Sequence, residues 1–390
     1  MKSIKIGLIG AGFMGKAHVV GYSNVPKLFW PAPAVPELKT VCDIDEETAK
    51  DAKDRFGFKE WTTDWHDIIN DPEIDAVSIC TPNDSHAKIS IAALEAGKHV
   101  LCEKPISNNP EDAKAMADAA AQVSSDGIIA MCAYQYRRVP AVVQAKKMIE
   151  DGSIGDILNI RTTYLQSWSA DPDSPLSWRF QKKYAGAGAL GDIGTHVIDI
   201  AQYLAGDIEE VVSNVRTFIK ERPVQEGGAD LLGTVKVDPD AVKEPVDVDD
   251  EASFLVNFKN GAVGSIEATR NAWGRNNYIT VEVHGTKGSI LFNYERLNEL
   301  QVSFSEDPED RRGFKTIYTG PAHSYGEVTW NIPGMNIGYG ELKTIESYDF
   351  LKAIADKKQP STSFNEAYKV DQVCEAVLAS ANSRRWEKVK

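Results

Sequence analysis

Short apolar runs separated by stretches of helical periodicity fill the first third of the chain. Lys5–Ile9, Thr40–Asp43, Ala76–Cys80, Val100–Glu103 and Ile128–Tyr134 read as strands, apolar almost throughout. Strands of that kind are buried on both faces. Pro110–Gln122, one of the helical stretches between them, opens with Pro-Glu-Asp. Proline suits a first helical turn, and acids there complement the helix dipole. Strand–helix alternation predicts a parallel sheet with helices on both faces. After about residue 135 the pattern changes. Phe254, Val256 and Phe258 alternate toward Asn260-Gly261, and Val263–Ala268 runs back, which predicts a hairpin. Ile279–His284 and Ser289–Tyr294 predict a second, turning near Gly285–Gly288. Glu341–Asp356 and Glu366–Ser383 read as helices, and Arg222–Asp250, rich in Pro, Gly and acids, as a long loop. The predicted fold class is α/β. A doubly wound parallel domain spans 1–134, and a second α/β domain with a large, mostly antiparallel open sheet spans 135–390.

The length of 390 residues suits two or three domains. With 42% apolar and 26% charged residues the chain has an ordinary globular composition. Its net charge of −14 argues against nucleic acid or anionic lipid as a partner. No apolar run reaches the roughly 18 residues of a membrane span. Lys2 and Lys5 ahead of Ile6–Met14 imitate a signal peptide, but Gly7, Gly10 and Gly12 interrupt the run. The segment is expected to form strand, turn and helix instead. The five cysteines (Cys42, Cys80, Cys102, Cys132, Cys374) make no C-x-x-C pair. They read as small buried hydrophobes, and reduced thiols suit the cytoplasm.

Gly10-Ala11-Gly12-Phe13-Met14-Gly15 is G-x-G-x-x-G. It sits directly after a strand and before a helix, the setting in which it binds a dinucleotide. The first glycine makes the turn, the second lets a pyrophosphate approach the main chain, and the third lets helix and strand pack. An acid closing the second strand should accept from the ribose hydroxyls. Asp43 fits, although it lies 28 residues beyond Gly15, farther than the usual spacing. The stretch Phe29–Pro36 reads as an inserted loop that explains the excess. A carboxylate there repels a 2′-phosphate, so NAD is the expected cofactor. Thr81-Pro82-Asn83, His86 and Glu103-Lys104 lie at or beyond strand ends where ligands gather in such sheets. With Phe13 and Met14 they complete the candidate cofactor-binding residues.

Gly186–Tyr203 carries an apolar stripe of Ile193, Val197, Ile200, Ala201 and, just beyond, Leu204. Asp192, His196, Asp199 and Tyr203 are spaced to share the other face. A carboxylate and an imidazole one turn apart can serve as a base and its orienter. Asp-His-Asp at this spacing can also ligate a divalent metal or belong to a solvated surface. The local pattern does not separate these readings. Oxidation of an alcohol needs a group to take the hydroxyl proton, which suits imidazole, and a cation to stabilise the developing alkoxide. His196, Asp192 and Lys104 supply these parts, with no metal.

The glycine fingerprint, Glu-Lys-Pro at 103–105 and Gly-Ala-Leu-Gly-Asp-Ile-Gly-Thr-His-Val-Ile-Asp at 188–199 together resemble the Gfo/Idh/MocA oxidoreductases. The resemblance implies an N-terminal Rossmann domain, with Lys104, Asp192 and His196 in the catalytic positions. It also implies oxidation of a carbohydrate or polyol hydroxyl with NAD(P). It implies dimers or tetramers built through the C-terminal sheet, and final helices (about 341–390) packed back on the first domain. Within that family, Phe-Trp-Pro-Ala-Pro-Ala at 29–34, residues 136–138, 164–172, 174–180, 268–272, 312–314 and 318–323 are similar to an enzyme that oxidises the 3-hydroxyl of a 1,6-anhydrosugar. An inositol or other sugar dehydrogenase and an NAD-retaining glycoside hydrolase are the alternatives. A small neutral sugar suits the flat faces of Trp168 and Trp178, with Gln166, Arg179 and Tyr136 as candidate hydroxyl partners.

Overall fold

The computed structural model describes residues 2–224 and 241–390. They form two compact units, one of residues 2–138 with 337–369 and one of residues 139–224 and 241–336 with 370–390. In the first, β1 (Ser3–Ile9), α1 (Phe13–Leu28), β2 (Val35–Cys42), α2 (Glu46–Phe56), β3 (Glu60–Thr62) and α3 (Trp65–Asn70) are followed by β4 (Ala76–Ile79), α4 (His86–Glu95), β5 (His99–Cys102), α5 (Pro110–Val123) and β6 (Ala130–Cys132). The sheet order is β3-β2-β1-β4-β5-β6, parallel throughout. Every residue of β4 is buried, as expected where helices cover both faces. Asn109 caps α5 by accepting from the Asp112 N–H, with Pro110 in the first turn.

The second strand begins at Val35, earlier than the apolar run at Thr40 suggests, because Val35–Leu38 pairs with β1 while staying only half-buried. The loop 29–34 lies just before it. Phe29 stacks on Tyr348 with ring centroids 4.0 Å apart. The last strand is shorter than 128–134, and a 3-10 turn, Gln135–Arg138, follows it. That turn, rather than residue 134, ends the first unit. Arg138 donates to Tyr134 O and Thr362 Oγ1, both at 2.9 Å, and pairs with Asp349 at 2.8 Å.

The second unit contains α6 (Pro140–Glu150), β7 (Ile157–Leu165), α7 (Lys182–Ala185), α8 (Thr195–Ala205), β8 (Ile208–Arg216), β9 (Glu221–Pro223), β10 (Lys243–Pro245), β11 (Glu251–Phe258), β12 (Val263–Thr269), β13 (Tyr278–Gly285), β14 (Gly288–Asn293), β15 (Glu299–Phe304) and β16 (Lys315–Tyr318). The chain then forms α9 (Tyr339–Asp356), which belongs to the first unit, α10 (Phe364–Ser383) and β17 (Glu387–Lys388). A nine-stranded sheet runs β16-β15-β14-β13-β7-β12-β11-β8-β17. Only β7 and β12 pair in parallel. The β11–β12 hairpin turns at Asn260-Gly261, where Gly261 has φ +90°. Helices α6 and α8 pack on one face. Residues 225–240 of the loop anticipated at 222–250 lie outside the described residues. Its flanks β9 and β10 pair antiparallel. All five cysteines are free thiols, four of them buried.

Candidate active site

In the first unit the glycine loop joins β1 to α1. Gly10 has φ +92°, and a Cβ there would lie 2.6 Å from Cys80 O. At Gly15 a Cβ would lie 2.2 Å from Gly10 O. Gly12 differs, because a Cβ there would meet nothing within 4 Å. The fold itself therefore demands Gly10 and Gly15. Gly12 leaves exposed main chain at the start of a 16-residue helix whose first turn carries no acid. The N–H groups of that turn and the helix dipole favour an anion there. Asp43 follows β2. Its Oδ2 accepts from the Ala11 N–H at 2.9 Å and its Oδ1 from the Asp45 N–H at 3.1 Å. A carboxylate offers about four acceptor positions, which leaves room for a ribose diol. These residues fit a dinucleotide.

The remaining strand ends supply the other candidates. Thr81, Pro82 and Asn83 follow β4, beside β1, where the strand order reverses and ligands bind in such sheets. His86 is buried, with Nδ1 2.9 Å from Pro105 O and Nε2 2.9 Å from Thr81 O. It ties the loop after β4 to the one after β5, and burial lowers its pKa. Phe13 stacks on Tyr339 at 6.3 Å, and the Met14 sulfur lies 3.7 Å from the Tyr339 hydroxyl. Tyr136 is buried in the turn after β6.

Glu103 follows β5 and is buried. Its Oε1 accepts from Lys343 Nζ at 2.8 Å and lies 2.9 Å from His18 Nε2. Its Oε2 accepts from the Lys104 N–H at 3.2 Å. Burial pushes the Glu103 carboxyl up, but the Lys343 ammonium and the His18 contact outweigh it and hold the group well below the carboxylate range. Burial likewise works against the Lys343 charge, and Glu103 and Glu346 outweigh it, so that its pKa is raised. Lys104 is only half-buried, and its peptide bond to Pro105 is cis.

The second unit holds the other candidates. Leu190–Gly194 is a π-helical turn running into α8. Such turns recur at functional sites. Asp192 sits in it, half-buried, with one oxygen 3.4 Å from Arg270 Nη1. Arg270 is fully buried, and its guanidinium lies 5.1 Å from the Trp168 ring and 5.3 Å from that of Phe180. Asp249 accepts from the N–H groups of Gly188 and Leu190, both at 2.7 Å. It holds the turn from beneath, and burial raises its pKa. The polar face anticipated for this helix is not a solvated one. His196 and Asp199 are buried, because α8 lies against β7 and β12. Asp192 and Tyr203 keep partial exposure.

His196 faces Tyr164, with ring centroids 6.0 Å apart. From Tyr164 a polar chain extends outward. Its hydroxyl donates to Asn277 Oδ1 at 2.6 Å, Gln166 Nε2 lies 3.1 Å from that hydroxyl, and Trp168 Nε1 donates to Gln166 Oε1 at 2.9 Å. Trp178 carries the Arg179 guanidinium 4.3 Å above its ring. Gln166, Trp168 and His196 thus belong to one cluster. Trp178 and Arg179 pair with each other, and burial lowers the Arg179 pKa.

Among the described residues, one group of His, Asp or Glu has three ligand atoms within 4.8 Å of one another: His18, Glu103 and Glu346. Lys343 Nζ already contacts both carboxylates there, at 2.8 and 2.7 Å. Lys343, Glu346, His18, Arg270, Asp249 and Asn277 escape sequence reasoning as site residues. A hint lay in Lys343 and Glu346, an i,i+3 pair of opposite charge within a helix rich in apolar residues.

Comparison with known proteins decides the family. Residues 4–126 match the oxidoreductase family with an NAD-binding Rossmann fold, and residues 142–291 match the GFO/IDH/MocA C-terminal domain. The chain belongs to the Gfo/Idh/MocA oxidoreductases. The first unit carries the family's NAD-binding Rossmann domain, and NAD is the cofactor. Among members of this family, the levoglucosan dehydrogenase of Pseudarthrobacter phenanthrenivorans is 57% identical over 386 residues, covering 99% of this chain and 98% of that protein. A solved levoglucosan dehydrogenase in complex with NADH and levoglucosan superposes with a TM-score of 0.93 at 55% identity, covering 100% of both chains. The myo-inositol 2-dehydrogenase of Thermotoga maritima is more distant, 28% identical over 317 residues, covering 81% of this chain and 82% of that protein.

Proposed function

We propose that this protein is an NAD-dependent sugar dehydrogenase that oxidises a ring secondary hydroxyl of a neutral carbohydrate. Its leading substrate is levoglucosan, 1,6-anhydro-glucose, converted to the 3-keto form. The carrying observation is 57% identity to a levoglucosan dehydrogenase along nearly the whole of both chains. The polar chain Tyr164–Gln166–Trp168–Asn277 supports the same reading, because it offers hydroxyl partners beside an aromatic face.

In this reading Gly10, Gly12, Gly15 and Asp43 hold the dinucleotide, with Thr81, Pro82 and Asn83 at the neighbouring strand end. Bound NAD supplies the acceptor for the hydride leaving the carbinol carbon. His196 takes the hydroxyl proton on an imidazole nitrogen, and Asp192 orients that imidazole and stabilises its cation. The Lys104 ammonium donates to the oxygen as negative charge develops there. Gln166, Trp168, Trp178, Arg179 and Tyr136 bind the sugar. We place the enzyme in the cytoplasm, in keeping with its five free thiols. Among the described residues no helix is long and apolar enough to cross a membrane. We further infer a homodimer or homotetramer built through the large sheet, whose helices pack on one face.

The test is a substrate screen with the purified protein and NAD, read by NADH absorbance and by NMR of the product. Levoglucosan should give one NADH and one 3-keto sugar per turnover. Faster turnover of an inositol would reverse the substrate ranking. Release of a hydrolysed sugar without NADH would replace the dehydrogenase with a hydrolase.

A further inference from the structure

We propose that Lys343, on α9, is a positioning residue for Lys104, acting through Glu103. The inference rests on the reading of Lys104 as the group that stabilises the alkoxide. Lys343 is 1% exposed and lies 240 residues from Glu103 in sequence, yet its ammonium is 2.8 Å from the Glu103 carboxylate. A second carboxylate, that of Glu346, lies 2.7 Å from the same nitrogen. His18 meets the same Glu103 oxygen, its Nε2 3.4 Å from the Lys343 nitrogen, and bridges Glu103 and Ser78 through its two ring nitrogens, at 2.9 and 2.8 Å. The Tyr22 hydroxyl reaches the same serine at 3.2 Å.

Glu103 is thus fixed from α1, β4 and α9 at once, and one of its oxygens remains for the Lys104 N–H. A buried carboxylate stays ionised only with a close counter-charge. Lys343 supplies that charge. Held in this way, Glu103 accepts from the main chain of the very residue whose ammonium does the chemistry. Lys104 itself is half-buried, and its side chain leaves from that fixed main chain. Lys343 need touch neither sugar nor cofactor to influence the rate.

Removing Lys343 alone strands two acids in the core, and that variant can fail for stability alone. The informative protein is therefore the full chain carrying Lys343→Met with Glu346→Gln, which removes one charge of each sign. Glu103 keeps His18 as its neighbour in this variant. With levoglucosan and NAD, its kcat should fall about tenfold or more, while the NADH dissociation constant, read by fluorescence quenching, stays within about twofold of wild type and the melting temperature recovers relative to Lys343→Met. A purely structural role predicts that kcat recovers together with the melting temperature. That result overturns the proposal, as does a loss of NADH affinity matching the loss of kcat. Should the double variant not fold, Glu103→Gln is read in the same way, and wild-type kcat there is equally fatal. Lys104→Met serves as the parallel control. If it keeps wild-type turnover, the reading of Lys104 fails. If it loses turnover while the double variant does not, only the role of Lys343 fails.

Discussion

Each unit sets a buried cation against a carboxylate next to a proposed catalytic group, and the two pairs are built differently. Lys343 and Glu103 meet at 2.8 Å with side chains 1% and 5% exposed, and further polar groups surround them. Arg270 and Asp192 stand 3.4 Å apart, and the Asp192 side chain keeps 22% of its surface open. The first pair is closed to solvent and to ligands, so its carboxylate can only hold. The second leaves its carboxylate reachable, backed by a cation that cannot move away. Arg270 is held by Trp168, Phe180 and a 3.4 Å contact to Asp249 O. In the proposed mechanism, one half of the chemistry would depend on a carboxylate sealed into the core, and the other on a carboxylate offered at the surface.

The sharpest separation should come from cutting each pair. Lys343→Met should lower stability by about 3–5 kcal/mol in denaturant unfolding, the usual result of stranding a buried ion. Asp192→Asn should cost less than about 1 kcal/mol, because the group is partly solvated, yet reduce kcat by about 10²-fold. Equal stability losses would erase the contrast. Arg270→Met falls between them. Burial of the guanidinium against two aromatic rings suggests a loss of about 2 kcal/mol, together with a lower kcat from a misdirected Asp192. An Arg270→Met enzyme with wild-type kcat would show that the 3.4 Å contact is incidental.

Gly12→Ala probes the cofactor loop. The fold has space for the added methyl, so the melting temperature should hold while NADH affinity drops about tenfold or more. The mildest effect is expected in acid. Burial, reinforced by Lys2, lowers the His99 imidazole to about 4, and burial lowers His86 as well. Both are favoured neutral in the folded state. Below about pH 6.5 the unfolded chain binds protons that the folded chain does not. Stability should therefore decline from about pH 6.5 toward 4. His99→Gln, which keeps an acceptor for the Ile129 N–H, should flatten that decline in melting curves. An unchanged slope would exclude His99 as its source.

The first unit was more legible than the second, and the reason is physical. Strands buried on both faces announce themselves as unbroken apolar runs, so β1, β4 and β5 stand out in sequence. The glycine fingerprint is local and its geometry follows from its spacing. By contrast β3 is only three residues long and exposed at two of them. The alternating strand β7 mixes Thr, Arg and Asn with its apolar positions. In the site, Asp192 and His196 were visible because they lie one turn apart. The π-helical turn and the burial of Asp199 were not, since they depend on what packs around the helix. Arg270 and Lys343 find their carboxylates across 78 and 240 residues of sequence. No local periodicity encodes such a pairing.

Asp43 carries a consequence for anyone wishing to re-engineer the enzyme toward a phosphorylated coenzyme. The obvious exchange, a neutral amide in place of the acid, would keep only one of the two oxygens that accept from the Ala11 and Asp45 N–H groups. Asp45 is itself the cap of α2. A redesign must therefore rebuild the loop's anchor before it can alter the coenzyme choice.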